Sequence, residues 1–450
     1  MKHIFLLLLF VNLNFCMSQT YTFPEESGQH EGTWLQWPHQ YQFGTTYRNR
    51  LDATWVAMTN ALQTNEKVHI IAYDNTEKTR IIGLLNAASV PLTNIDFKIY
   101  PTDDIWVRDN GPIFVKNSSN QIVIQDWGFN GWGGKFNFSN CNQIPTKIGT
   151  DLGIPVVNLN SVMVNEGGSV ELDGSGVLMV CRSSVISQSP ANTVRNSGMS
   201  EATATNSFKQ YYGVSKVIWL NGVTGLEVTD MHIDGFMKFV NSTTMVTMNN
   251  ADLLNWGVTQ ADINTLYAAT NANGQTYNKV YIPLTQNNVV TTYGTNLGYK
   301  GSYANYYVAN GVVLVPNYND PNDSIANQII GNLYPGRTVI GIDVRNLYAN
   351  GGMVHCVTQQ QPSASTSLST KEKTSFKKVS ILPNPTTGEI RINADKKIKF
   401  SELYSSAGQK LKTINENFNK IEIQNFAKGN YLLKINFEDG TSETQKIIKK

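Results

Sequence analysis

The sequence predicts an α/β fold in which one helix–strand–turn–hairpin unit is repeated five times, followed by a small all-β module. Three observations carry this. A polar turn feeding two short apolar strands recurs four times before Pro316. A helical stretch and a short apolar strand precede each of these hairpins. Beyond about Gln361 the composition turns to Ser, Thr and Lys, and then to strands of alternating polarity.

In chain order, Lys2 and His3 precede the apolar run from Ile4 to Val11, and Cys16-Met17-Ser18 offers small residues at both positions a signal peptidase reads. This reads as a signal peptide, residues 1–18, cleaved after Ser18. A lipid anchor on Cys16 is the competing reading, and the bulky Asn14-Phe15 before it argues against that. The run is too short to span a bilayer, and no later stretch is long enough. Thr33-Trp34-Leu35-Gln36-Trp37 reads as an early strand.

The first full unit has a helix over 75–88, a strand over 97–100, and a hairpin of Ile113-Phe114-Val115 with Ile122-Val123-Ile124 after Asp109-Asn110-Gly111-Pro112. Glu166-Gly167-Gly168 feeds the second hairpin, 169–172 with 177–180. A helix over 207–212 and a strand over 217–220 lead to His232-Ile233-Asp234-Gly235 and the hairpin of 236–240 with 245–248. A helix over 260–270 and a strand over 280–282 lead to Ser302-Tyr303-Ala304-Asn305 and the hairpin of 306–308 with 312–315. The Asn, Asp and Gly connections are hairpin chemistry. The last unit, a helix over 324–333 and a strand over 339–342, ends at Cys356 with half a hairpin. The strand at Thr33–Trp37 can close it. Repetition that closes on itself predicts radial packing, with the polar turns converging at one end. An open α/β sheet is the alternative on pattern alone.

A chain of 450 residues exceeds one compact core, so two or more domains are expected. With 36 Lys and Arg against 34 Asp and Glu, a net charge of +2 gives no reason to propose a nucleic-acid or membrane-surface partner. Removing the signal peptide leaves Cys141, Cys181 and Cys356, an odd number, so at least one thiol is unpaired. Cys181 ends an apolar strand and reads as a buried small hydrophobe. Whether Cys141 bridges it is open.

Cys356 is then the candidate reactive thiol. It follows Gly351-Gly352, where backbone can approach a ligand closely. His355, its neighbour, should point to the opposite face if the segment is a strand. His232 stands in a turn at the same end of the fold, two residues from Asp234, and is the better partner base. The rival explanation for His-x-Asp is a metal site, but too few further His ligands stand near strand starts. Asp109 and Asp234 can cap their turns, or together hold a planar guanidinium through paired hydrogen bonds. Trp106 can pack in the core or lie along the substrate stem or over its cation. A thiol, an imidazole and two carboxylates are the parts for attack on a guanidinium carbon, with no cofactor or metal.

These motifs carry a family resemblance. Trp34 to His39, Trp106 to Pro112, Asp126 to Asn130, Glu166-Gly167-Gly168, Thr229 to Asp234, Ser302 to Asn305 and Asn350 to Gln360 follow in order across one domain. Residues from about Pro24 to Gln361 thereby resemble the agmatine deiminase and Porphyromonas-type peptidyl-arginine deiminase family of guanidino-modifying enzymes. The resemblance implies a five-bladed pseudo-symmetric α/β propeller, with Cys356 as nucleophile, His232 as acid and base, and Asp109 and Asp234 as guanidinium ligands. Trp106, Asn305, Glu166 and Gly351 would line the substrate site. The segment Gly131 to Phe138 has no Arg to hold an arginine carboxylate, and its Trp132-Gly133-Gly134 is similar to the agmatine branch. Lys135 remains a possible carboxylate ligand. The expected substrate is agmatine or a related small guanidino compound, with peptidyl-arginine second and a non-catalytic surface binding module last.

From about Lys378 the chain resembles a C-terminal sorting domain of the type IX secretion system, through Pro383-Asn384-Pro385-Thr386-Thr387-Gly388, Gly429-Asn430-Tyr431 and the Lys-Ile-Ile-Lys end. Its length suits a small β-sandwich. The expected organisation is a signal peptide over 1–18, a catalytic domain over 19–361, a linker over 362–377 and a sorting domain over 378–450. The expected route is export to the cell surface or medium, with the secretion machinery as partner.

Overall fold

A computed structural model describes residues 21–186, 195–364, 380–394, 396–405, 409–418, 420–438 and 442–450. The expected signal peptide, residues 1–18, and most of the expected linker lie outside the described residues. The chain divides into two compact units, residues 1–365 and 366–450.

Among the described residues, the strands of the first unit form five small sheets, all on one plan. Four of them join an antiparallel pair to a third, parallel strand. They are β4 (Ile113–Lys116), β5 (Ile122–Gly128) and β6 (Val156–Val164); β7 (Val170–Leu172), β8 (Val177–Cys181) and β9 (Lys216–Leu220); β10 (Met237–Asn241), β11 (Thr244–Thr247) and β12 (Asn278–Tyr281); and β13 (Tyr307–Val308), β14 (Val312–Asn317) and β15 (Thr338–Asp343). The parallel partner needs a crossover, and helices at Ile144–Leu152, Glu201–Tyr212, Gln260–Tyr267 and Asp323–Leu333 supply it. The fifth sheet unites the ends of the unit. β16 (Gln359–Pro362) pairs antiparallel with β1 (His30–Gln36), and β2 (Lys67–Ala72) and β3 (Ile95–Ile99) follow in parallel. The early strand does close the last unit, in the register Thr33 opposite Gln360.

Local chemistry sets the helix starts. Ser200 accepts from the Thr203 amide and Thr259 from the Asp262 amide. The first cap starts one helix at Glu201, six residues before its expected beginning. The helix Gln40–Leu62 was not foreseen, although Leu51, Trp55, Met58 and Leu62 fall on one buried face. Pro362, read as linker, ends β16.

In the second unit, β17 (Ser380–Leu382), β18 (Glu389–Asn393) and β21 (Ile421–Glu422) form one sheet. β19 (Ile398–Ser405), β20 (Lys410–Ile414), β22 (Gly429–Phe437) and β23 (Ser442–Lys449) form the other. Ile390, Leu403, Leu433, Ile435 and Ile447 share one core, as the alternating pattern requires.

Candidate active site

Each of the five sheets is entered through a short turn that carries a site residue. Asp109 lies four residues before the start of β4, Gly168 two before β7, Asp234 three before β10, Asn305 two before β13 and Cys356 three before β16. None of the five is itself in a strand. Most sit in single helical turns, whose side chains do not alternate between two faces as a strand's do. His355–Val357 is a 3-10 turn and not the expected strand; even so the two side chains part, His355 turning to Glu26 and Asp234 while Cys356 lines a cavity.

Gly168 shows how tightly the turns meet. A Cβ placed there would lie 2.7 Å from His232 Nδ1, 2.9 Å from Asp109 Oδ1 and 3.1 Å from Asp234 Oδ2. Three predicted groups therefore converge on one point that only glycine leaves open. The Gly168 amide donates to Asp109 Oδ1 over 3.1 Å, and Trp132 Nε1 donates to Oδ2 over 3.0 Å. Burial pushes the Asp109 carboxyl up to about 6, although His232 opposes this.

His232 is buried, with Nδ1 3.7 Å from Asp109 Oδ1 and Nε2 2.7 Å from Glu166 Oε2. Burial works against the imidazolium. The Asp109 charge and the Glu166 hydrogen bond outweigh it and raise His232 to about 9. Glu166 was expected among the substrate contacts; instead both its oxygens are engaged. Oε2 meets His232, and Oε1 accepts from Arg195 Nε over 2.6 Å. Arg195 in turn donates to Asp230 Oδ2 over 2.7 Å and to the Thr229 carbonyl over 2.8 Å. Glu166 thus sits behind His232 and orients it, and Arg195 fixes Glu166. Arg195 belongs to none of the motifs, so the sequence offered no signal for it.

Cys356 Sγ lies 3.3 Å from Asn305 Nδ2 and 3.8 Å from Asp234 Oδ2. Burial pushes its thiol well above the usual range, and the Asp234 and Asp109 charges add to this. Asn305 also holds the loop, accepting from the His355 amide over 3.0 Å and donating to the Asp234 carbonyl over 3.2 Å. Cys141 and Cys181 are both free and buried.

His232, Asp234, Asn305, Gly351 and Cys356 line one cavity of about 430 Å³, with Met231, Trp256, Tyr299, Tyr348 and Met353 as its apolar walls and Glu227 and Lys300 as its charges. Trp106 does not line it. Its ring packs on Gly352, where a Cβ would come within 2.1 Å, and it borders a neighbouring cavity with Trp132 and Asn350. Lys135 is committed elsewhere: its Nζ donates to Asp230 Oδ2 over 2.8 Å and to the Val228 carbonyl over 2.7 Å.

Residues 22–362 match the family model described as Porphyromonas-type peptidyl-arginine deiminase. The chain belongs to this family. It is accordingly a hydrolase of amidine C–N bonds. The agmatine deiminase of Pseudomonas aeruginosa (strain LESB58) is 29% identical over 76% of this chain and 95% of its own length. The agmatine deiminase structure from Enterococcus faecalis, 24% identical, superposes with a TM-score of 0.66 over 77% of this chain and 96% of that one. A substrate-bound agmatine deiminase of C. jejuni, 21% identical, gives 0.66 over 78% and 98%. At these identities the two structures speak for the fold, which the first unit shares. Residues 380–450 match the secretion-system C-terminal sorting domain. No helix among the described residues is long and apolar enough to cross a membrane.

Proposed function

We propose that this chain is an exported deiminase that hydrolyses agmatine, or a closely related small guanidino compound, through a covalent amidino-thioether on Cys356. The convergence of Asp109, Asp234 and His232 around Gly168, with Cys356 beside Asp234, carries the reading. Asp109 and Asp234 hold the guanidinium from two sides. With the site empty, burial and two negative charges keep the thiol protonated. A bound cation neutralises those charges, so the thiol loses its proton to water only when substrate is present. The thiolate attacks the guanidinium carbon. His232, kept protonated by Asp109 and Glu166, delivers a proton to the departing ammonia. Water then attacks the amidino-thioether while His232 takes up its proton. The ureido product leaves and the thiol is restored. The five like sheets, one of them completed by β16 on β1, are in this reading five blades around an axis, with the entry turns meeting around Asp109, Gly168, Asp234, Asn305 and Cys356.

The far end of the substrate favours a small compound. Lys135 is tied to Asp230, and the cavity offers aromatic and Met side chains suited to an alkyl stem, with the cation Lys300 and the further anion Glu227 in its lining. Peptidyl-arginine is the second reading, favoured by the sorting domain, because an exported enzyme meets peptides more readily than a cytosolic amine. In either case the signal peptide and the type IX machinery deliver the chain to the surface or medium.

The deciding assay follows ureido product and ammonia from agmatine, free arginine and an internal-arginine peptide, with Cys356→Ala as the blank. Agmatine turnover is expected. Turnover of the peptide alone would establish the second reading, and silence on all three from folded protein would overturn both.

A further inference from the structure

The turn residues are not the whole centre, because one carboxylate reaches it from outside the five units. Glu26 lies in the segment before β1, and its Oε2 is 2.8 Å from His355 Nε2. The other ring nitrogen, His355 Nδ1, is 2.7 Å from Asp234 Oδ2. An imidazole between two carboxylates satisfies both only when each nitrogen carries a hydrogen. The arrangement therefore supplies Asp234 with a donor, fixed in direction, on the side away from the cavity.

The surroundings hold Glu26 in this role. Its Oε1 accepts from the Val308 amide over 2.9 Å, and Arg108 Nη2 and Lys238 Nζ lie 3.6 and 3.5 Å from Oε2. Lys238 also meets Glu171 over 3.0 Å, and Arg108 Nε donates to the His355 carbonyl over 3.2 Å. The segment itself is tied down: Thr22 exchanges backbone hydrogen bonds with Lys116, and the Phe23 amide donates to the Tyr212 carbonyl. Burial disfavours the ionised Glu26, but Lys238, His355 and Arg108 outweigh it and hold its carboxyl well below the usual range. Around Asp234 the facing charged or titratable groups are His355, His232, Lys238, Cys356 and Asp109.

We infer that Glu26 is a positioning residue for the deiminase reaction, acting through His355 to orient Asp234 and keep it ionised toward the guanidinium. The inference rests on the proposed function and adds the N-terminal segment to the catalytic centre. Cleavage after Ser18 leaves Glu26 in place; trimming past it removes the support.

The test compares wild type, Glu26→Ala and Glu26→Gln as full mature chains, with agmatine turnover read across pH. Agmatine binding is measured by calorimetry in the Cys356→Ala background, with and without each Glu26 change. Glu26→Ala should lower kcat/KM about tenfold or more, the effect of losing a hydrogen bond to a charged group, and weaken agmatine binding in step. With its donor loosened, burial raises Asp234, so the acidic limb of activity should move to higher pH. Glu26→Gln keeps an acceptor and the shape, loses the charge, and should recover part of the rate while still shifting the limb. A purely structural role would lower the melting temperature without moving the limb. If Glu26→Ala does not fold, an unshifted limb in Glu26→Gln overturns the proposal. Normal turnover and binding in both variants overturn it too, leaving the deiminase reading intact. A wild type that neither binds nor turns over guanidino compounds removes the reading and this inference together.

Discussion

At the scale of single residues, the centre is a set of carboxylates, each given a different task by its neighbours. Asp109 is pushed up to about 6 by burial. Asp234, equally buried, is held below its ordinary value because the His355 hydrogen bond and charge outweigh desolvation. Glu166 is lowered in spite of burial, through Arg195 and His232. The consequence for pH is directional. His232 rests at about 9, so in the proposed mechanism its acid form is present at neutral pH and lost as pH rises through that value. Glu166→Gln removes a charge and a hydrogen bond that raise it, so the alkaline limb of kcat should move to lower pH. A pH–rate profile checks this; an unmoved limb would remove Glu166 from the support of His232. The same shift bears on stability. A histidine raised above its unfolded value contributes stability that is full below about 6.5 and lost as pH climbs through about 9.

At the scale of elements, helices packed against the sheets supply much of the core. The helix Gln40–Leu62 packs Leu51, Trp55, Met58 and Leu62 into the largest core, and Trp55 Nε1 donates to the Gln36 carbonyl at the end of β1 over 2.8 Å. Trp55 is fully buried, so Trp55→Ala should destabilise the first unit by about 3–5 kcal/mol. Urea unfolding followed by circular dichroism measures it, and a loss below ~1 kcal/mol would contradict the packing described. The hairpins were legible in the sequence because Asn, Asp and Gly mark them directly. This helix was not, because Asn, Thr, Gln and Tyr dilute its apolar stripe.

At the scale of the whole molecule, the site residues from Glu26 to Cys356 all lie in the first unit, and each unit has its own core. Deleting residues 378–450 should therefore leave agmatine turnover unchanged and abolish export; fractionated cultures and the purified truncated enzyme test the two halves. The sequence by itself determined the repeated unit, the closure of the last sheet by the first strand, and the thiol, imidazole and two aspartates. These follow from side-chain type and spacing, which are local properties. Only the tertiary structure decided which carboxylate lines the cavity and which stands behind another side chain. It turned Glu166 toward His232, tied Lys135 to Asp230, put Trp106 on Gly352 and brought Glu26 to His355 across 329 positions. Such pairings are set by desolvation, since a buried charge must find a partner wherever the fold offers one. Spacing along the chain carries no record of that choice.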